Sequence, residues 1–245
     1  MNAKDWETGA PAFPKTRLSA VVGVRSDDPE VRRRACQALV SAYWKPIYKH
    51  LRLKWRSSPE EAEDLTQAFF AAMLEKRFFQ KYDPERARFR SYIRASLDHF
   101  IQDDQKAGRR LKRGGDATFH SLEFASAEGE LARGDTCFGD DLDALFDLEW
   151  KRSLFAAAAD ALREDCEARG RSRHYRVFEA YYLAAEEPPS YADIAEALGI
   201  AVTDVTNSLS YARRQFRRFV LEKLREVSAS EEEFHLEASS LGVFD

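Results

Sequence analysis

One short segment restricts the possible folds of this chain more than any other. It reads SYADIAEALGIAVTDVTNSL over positions 190–209, and the spacing of Ser190 and Asp193 matches a capping box at a helix start. Gly199 suits the end of that helix, because a glycine adopts the left-handed conformation without steric cost. Ala195 is small where a second helix must cross closely, so the spacing predicts a helix-turn-helix. Its apolar wedge is expected to consist of Ile194, Leu198, Val205 and Leu209.

The second helix of this motif carries polar side chains on the face away from the wedge. In a helix-turn-helix that face enters the major groove, and basic residues behind it contact phosphates. An ordinary helical hairpin with the same corner is the alternative interpretation. The residues expected to face DNA are Thr203, Thr206, Asn207, Ser208, Tyr211, Arg213, Arg214 and Arg217, with Arg218 as a further phosphate contact.

Helical periodicity extends over most of the chain, and hardly any segment alternates as a strand does. Apolar residues recur at three and four over 28–55, with a break expected at Pro46. Glycine, serine and acidic residues without periodicity predominate from 114 to about 143, which is typical of a flexible linker. The remaining predicted helices span 59–76, 89–110, 145–168, 173–185 and 190–227.

These patterns predict an all-α fold of two helical domains joined by a flexible linker. The predicted parts are an N-terminal arm (1–27), a first domain (28–113), an acidic linker (114–144), a second domain (145–227) and an acidic tail (228–245). The tail has two interpretations. It is either a disordered solubilising end, which we favour, or a segment whose Phe234, Leu236 and Leu241 fold back over a DNA-binding face.

Charge is distributed unevenly although the formal net charge is only −4. Basic residues cluster over 86–113 and again over 213–225, and acidic residues over 123–147 separate them. Two separated basic patches fit a protein that contacts a polyanion at two places. The alternative is that both clusters only solvate helix faces.

The helix predicted over 59–76 has an apolar face and an acidic face. An acidic face is usually only solvated, but it also suits docking to a basic protein, where charge fixes the register. We name this face the acidic ridge; it consists of Glu60, Glu63, Asp64 and Gln67.

The segment before the helix at 89–110 combines aromatic and basic residues, among them Arg77, Phe78 and Tyr82. Aromatic rings beside cations can stack unpaired bases, and burial of Phe78 and Phe79 is an equal alternative. The helix itself is expected to expose donors that reach bases or phosphates. Those donors include Arg94, Gln102, Gln105 and Arg109.

Composition excludes several classes of protein. With 44% apolar residues among 245, the chain can fill a core, and no run approaches the length of a membrane helix. The N-terminus lacks the apolar region of a secretory signal. Three scattered cysteines and five histidines form no metal-ligand spacing, and no nucleophile–base pair or phosphate-binding glycine loop is present. We therefore expect a cytoplasmic protein without cofactor, metal, membrane contact or enzymatic activity.

Three segments together resemble a known family. They are AEDLTQ at 62–67, FRSYIRASL at 89–97 leading into a basic end, and the helix-turn-helix; FPKTRL at 13–18 and FHLE at 234–237 add to them. The chain resembles bacterial RNA polymerase sigma factors of the extracytoplasmic-function (ECF) type in the sigma-70 family. The resemblance covers 28–113 as the sigma-2 domain and 145–227 as the sigma-4 domain.

The resemblance implies a promoter-specificity subunit whose partners are core RNA polymerase and promoter DNA. The acidic ridge would dock on the β′ clamp helices, and the second domain would meet the β flap and read the −35 element through the residues named above. The resemblance assigns binding of the melted −10 element to Arg77, Phe78, Tyr82, Arg88, Arg90, Arg94, Gln102, Gln105 and Arg109.

Two departures from the family pattern affect what the resemblance implies. Thr206 and Ser208 stand where many relatives carry lysine and arginine, so the −35 specificity does not transfer. Thr66 replaces a commoner aliphatic residue at the edge of the acidic ridge. Phosphorylation there by a Ser/Thr kinase would add roughly −1.5 to −2 charges to the docking face; otherwise Thr66 is a tolerated surface residue.

Control by an anti-sigma protein also remains open, and so do two rival functions. One is a stand-alone helix-turn-helix regulator with an N-terminal helical domain for dimerisation or sensing. The other is an adaptor whose basic faces bind acidic proteins.

Overall fold

The computed structural model describes residues 19–74, 78–79, 81–106, 122–133, 141–184 and 187–242. Within these ranges the chain is helical and contains no strand, so the prediction of an all-α fold is confirmed. None of the helices described has an apolar stretch long enough to cross a bilayer. In chain order the helices are α1 (Ala20–Gly23), α2 (Pro29–Lys54), α3 (Pro59–Met73), α4 (Phe89–Lys106), α5 (Phe124–Ala132), α6 (Leu142–Ala168), α7 (Ser172–Tyr182), α8 (Tyr191–Leu198), α9 (Val202–Val227) and α10 (Glu231–Ser240).

Helix α2 is one continuous helix, so the predicted break at Pro46 is wrong. Asp28 caps the helix by accepting from the backbone N–H of Glu30 at 2.8 Å, and Pro29 occupies the first helical position. Pro46 lies inside the helix and its ring is buried. A proline removes one backbone hydrogen bond, and burial of its ring in the core offsets part of that loss.

A single apolar core joins the two segments that the sequence assigns to separate domains. Helix α2 packs along α6, and the second half of α9 packs against α2 as well. Consequently the start of α6 and the end of α9 belong to the same core as α2 to α4. The largest contributors to this core include Tyr43, Ile47, Phe89, Phe146, Trp150, Leu224 and Phe234.

Part of the predicted linker is a helix docked on α2, which corrects the expectation of an unstructured connector for 124–132. Phe124 and Ala127 of α5 are buried. Its acidic residues pair with bases of α2: Glu128 with Arg52 at 2.5 Å, and Glu130 with Lys45 at 2.8 Å. The acidic composition that suggests solvation is therefore matched by basic partners distant in sequence. The linker positions 114–121 and 134–140 lie outside the described residues.

The acidic tail also forms a helix, so the favoured interpretation of a disordered end is wrong over 231–240. Phe234 and Ala238 of α10 lie in the main core, with 4% and 0% of their surface exposed. Leu236 by contrast is 55% exposed. The spacing of Phe234 and Ala238 places both on one face of the helix, and that face supplies the apolar contact.

Candidate nucleic-acid interface

The corner between α8 and α9 has the local structure that its sequence predicts. Ser190 Oγ accepts from the Asp193 N–H at 3.2 Å, and an Asp193 carboxylate oxygen accepts from the Ser190 N–H at 3.1 Å. Gly199 caps α8 in the left-handed conformation, with a φ of 62°. Because both ends of α8 are fixed locally, the turn into α9 is defined by the sequence itself.

The apolar wedge beneath this corner is also confirmed. Val205 and Leu209 of α9 are buried against Ile194 and Ala195 of α8 and against Val177 of α7. Leu198 packs on the cluster from its edge. This packing fixes which side of α9 faces outward.

The first turns of α9 present a polar row. Thr203, Thr206 and Asn207 are exposed, although the Thr206 hydroxyl also donates to the Val202 carbonyl at 3.2 Å. Ser208 is fully buried and lies 2.9 Å from Nδ1 of His174, which corrects its expected position on the outer face. The helical period turns Ser208 toward α7, together with Val205 and Leu209.

The basic residues of α9 separate into restrained and open side chains. Tyr211 is half-buried beside His174, with ring centroids 4.7 Å apart. Arg213 donates to the Tyr182 hydroxyl at 2.6 Å, and Arg218 lies 3.6 Å from Asp165. Arg214 and Arg217 are exposed, and Arg214 contacts only Ser210 of its own helix among the described hydrogen bonds. The polar row and these two arginines form one continuous outward strip of α9, because their spacing follows the helical period.

The acidic ridge lies on α3 with its carboxylates toward solvent. Glu60 and Asp64 are exposed, while Glu63 and Gln67 are half-buried. Hydrogen bonds from backbone N–H groups at the helix start hold the pKa of Glu60 below its ordinary value, so this carboxylate stays charged. The ridge therefore presents negative charge that is fixed in orientation by the Ser58–Glu61 capping box.

Thr66 lies in the core, which corrects its expected position at the surface. Its exposed surface is 0%, and its hydroxyl donates to the Ala62 carbonyl at 2.6 Å. A kinase needs an accessible hydroxyl, and this hydroxyl faces inward between α3 and its neighbours. Phosphorylation of Thr66 would require α3 to leave the core first.

The start of α4 carries arginines that are paired rather than free. Arg90 is 6% exposed and lies 3.0 Å from Asp147 and 3.3 Å from Glu237. These are ion pairs by distance without well-directed hydrogen bonds, and the guanidinium lies over the Trp150 ring at 4.5 Å. Arg88 lies 3.4 Å from Glu237. We call Arg88, Arg90 and the backbone N–H of Phe89 the arginine corner.

The next arginine of α4 is paired too, while the far end of the helix is open. Arg94 lies 3.0 Å from Asp143, so it does not line a free outer face as expected. Gln102 and Gln105 are exposed as predicted. Arg109 lies outside the described residues. The part of α4 that is available to a ligand is thus its uncharged donors.

The aromatic residues before α4 are packed against the bundle. Tyr82 is 9% exposed and its hydroxyl donates to the Ala87 carbonyl at 3.1 Å. Phe78 is half-buried between Phe69 and Tyr92, with ring centroids 6.0 Å and 5.1 Å away. This arrangement matches the burial alternative. Arg77 lies outside the described residues.

Buried ionisable residues, which the sequence analysis did not single out, connect the front helices. Lys49 lies 2.7 Å from both Glu149 and Glu130, and its side chain and that of Glu149 are each 1% exposed. His50 lies 2.9 Å from Asp98, which also accepts from Lys54 and Trp55. Burial raises the pKa of Asp98, but these three hydrogen bonds outweigh it and lower the pKa overall.

Metal chemistry has no support in the part of the chain that the structure describes. No group of three or more potential ligands among those residues is arranged to hold a metal ion. Cys36 and Cys166 are free thiols, and burial raises the pKa of both. Cys137 lies outside the described residues. The described polar groups thus bind one another or face solvent.

Comparison of the chain with family models, with curated proteins and with solved structures found no match.

Proposed function

We propose that this chain is an RNA polymerase sigma factor of the ECF type, which binds core polymerase and directs promoter recognition and DNA melting. The observation that carries the proposal is the outward strip of α9. Thr203, Thr206 and Asn207 stand at the helix start, where a recognition helix contacts base edges. The exposed Arg214 and Arg217 follow on the same strip, at the distance along the helix where phosphates are met.

The acidic ridge supports a partner that a stand-alone DNA-binding protein does not need. Negative side chains repel DNA, so Glu60, Glu63 and Asp64 suit a basic protein surface. In the proposed function that surface is the β′ clamp of the polymerase. The ridge and the α9 strip lie on different helices, so one chain can hold the enzyme with one and the promoter with the other.

In-vitro transcription tests the proposal directly. Bacterial core polymerase is mixed with genomic promoter fragments, with and without the full chain. We expect defined transcripts only when the chain is present, and loss of those transcripts for Asn207→Ala. Random initiation at the same level with and without the chain would refute the proposal.

Affinity for core polymerase tests the acidic ridge separately. The charge reversal Asp64→Lys should weaken binding at least tenfold, because like charges placed opposite each other in an interface cost several kcal/mol. Asp27→Lys is the matched control: it makes the same charge change at an exposed position away from α3. Equal affinity of the two variants would remove the ridge from the interface.

A stand-alone transcriptional regulator is the second candidate, and one observation favours it. The arginine corner of α4 is covered in the free chain, which leaves the α9 strip as the open basic surface described here. A regulator of this kind binds a palindromic site as a dimer without polymerase. Sequence-specific binding to such a site together with no effect on core polymerase would favour this candidate.

A further inference from the structure

Helix α10 covers the start of α4 through two buried carboxylates. One carboxylate oxygen of Glu233 accepts from the Phe89 N–H at 2.5 Å, and the other accepts from the Ala229 N–H at 2.7 Å. Glu233 thus joins the first turn of α4 to the short connection between α9 and α10. A side chain from a distant element is serving as the cap of α4.

Glu237 completes the cover one helical turn later. It is 2% exposed and lies within 3.4 Å of both Arg88 and Arg90. A helix N-terminus flanked by guanidinium groups is an arrangement that binds phosphate. Here the chain's own carboxylates occupy that arrangement, with Arg90 buried and held by ion pairs alone.

The attachment of α10 allows it to leave without disturbing α9. Only residues 228–230 connect the two helices, and Ser228 already has an extended backbone. Phe234 anchors α10 in the core, and the Arg225 guanidinium lies over its ring at 4.1 Å. An isolated helix of this length is unstable in water, so a released α10 unfolds and its amides exchange freely.

We propose that α10 is an intramolecular competitor of nucleic acid: Glu233 and Glu237 occupy the arginine corner in the free chain, and a phosphate backbone binds there once α10 has left. This inference rests on the proposed function in taking the start of α4 as a DNA-contacting surface. Polymerase or DNA binding must then supply the free energy that displaces α10. The free chain consequently has low affinity for single-stranded DNA at its front helices.

Charge-matched variants of the full chain test the competition. The variant Glu233→Gln/Glu237→Gln removes the two buried carboxylates, and Glu231→Gln/Glu232→Gln removes two exposed ones from the same helix. The probe is a labelled single-stranded DNA of mixed sequence, with affinity measured by anisotropy against salt. Each arginine freed should steepen the log–log salt slope by about 0.7, which amounts to about fivefold in affinity near 0.1 M salt.

The expected result is tighter binding by the buried-carboxylate variant, up to about 25-fold when both arginines are freed, and at most a twofold gain for the exposed pair. Phe234→Ala, which removes the apolar anchor but no charge, should give a gain in the same direction. If the buried variant misfolds, Phe234→Ala and hydrogen exchange of the unaltered chain decide the matter. In that exchange experiment, α10 should be protected in the free chain and lose protection when the DNA is added.

Two results overturn the inference. They are equal affinities for the buried and exposed pairs, and an α10 that stays protected at saturating DNA. Transcription by the unaltered chain separates this failure from failure of the proposed function. Promoter-dependent transcripts with a permanently protected α10 would refute the cover alone, whereas a chain that supports no transcription and binds no core polymerase would refute the sigma function.

Discussion

The α8–α9 corner and the arginine corner both bring arginines near a helix start, yet one is open and the other is closed. The α8–α9 corner is built from residues close in sequence: a capping box, a left-handed glycine and a wedge of buried aliphatic residues. The arginine corner is completed by carboxylates of α6 and α10, which lie far away in the chain. The availability of a basic surface is therefore decided by long-range partners and not by its own sequence.

The largest expected effect comes from breaking the ion cluster that ties α2 to α5 and α6. Lys49→Ala leaves Glu149 buried without its lysine, which should lower the free energy of unfolding by about 3–5 kcal/mol. Lys45→Ala is the control, because Lys45 pairs with the same Glu130 but is 24% exposed, and it should cost about 1 kcal/mol or less. Urea unfolding followed by far-UV circular dichroism measures both.

The same experiment tests whether the two regions are independent. Trp44, Trp55 and Trp150 all report on the front of the molecule, whereas circular dichroism reports on every helix. Because α6 and α9 run through both regions, the two signals should shift together in Lys49→Ala. A fluorescence transition that moves while the dichroism retains a second, unshifted step would mean that the α8–α9 region folds alone.

The second prediction concerns the apolar wedge of the α8–α9 corner. Leu209 is 1% exposed, so Leu209→Ala should cost about 3 kcal/mol through lost burial and the cavity left behind. This loss should be equal at about 0.05 M and about 0.5 M salt, since apolar contacts carry no charge to screen. Val202→Ala, at a 48% exposed position of the same helix, should change stability by less than about 0.5 kcal/mol. Equal losses at the two positions would contradict the wedge.

How well the sequence predicts each region follows from this contrast. The helix starts at Pro59 and Tyr191 and the glycine stop at Gly199 are determined by neighbours within four residues, so pattern and propensity are sufficient to predict them. The outward positions Thr203, Thr206 and Asn207 follow from the helical period. Ser208 is the exception, because its burial depends on His174 of α7.

The errors fall where distant segments meet. Residues 124–132 look like a linker and the tail looks solvated, since acidic residues usually face water. Both instead form helices whose carboxylates meet bases of α2 and α4. Periodicity describes one helix at a time, and it contains no information on which arginine a distant glutamate will reach.

The third prediction uses pH to separate the regions. Burial lowers the pKa of His50, with Lys54 and Arg94 adding to the effect and Asp98 opposing it. The folded state therefore holds His50 neutral at pH values where an unfolded histidine, with a pKa of about 6.5, is protonated. Stability contributed by this difference is complete above pH 6.5 and is lost as the pH falls below it.

Thermal unfolding between pH 7.5 and 5.5 measures this loss, which should not exceed about 1.4 kcal/mol per pH unit. The neutral amide in His50→Gln removes the titration and should flatten the profile over that range. His99→Gln is the control, because His99 is exposed on α4, and its profile should match that of the unaltered chain. A profile equally steep in His50→Gln would assign the pH dependence to other groups.

The smallest expected effect compares an open arginine with a covered one. Arg214 is exposed on α9, so Arg214→Ala should weaken binding of the free chain to duplex DNA and reduce its salt slope by about 0.9, the share of one phosphate. Near 0.1 M salt this amounts to about eightfold in affinity. Arg88→Ala should change neither quantity, because Glu237 holds Arg88 at 3.4 Å in the free chain. With Glu233→Gln/Glu237→Gln as background, however, Arg88→Ala should acquire an effect on single-stranded DNA, since the carboxylates that covered the corner are gone. An effect of Arg88→Ala that is the same in both backgrounds would show that α10 does not control access to the corner, and the contrast between the two regions would then lie only in their packing.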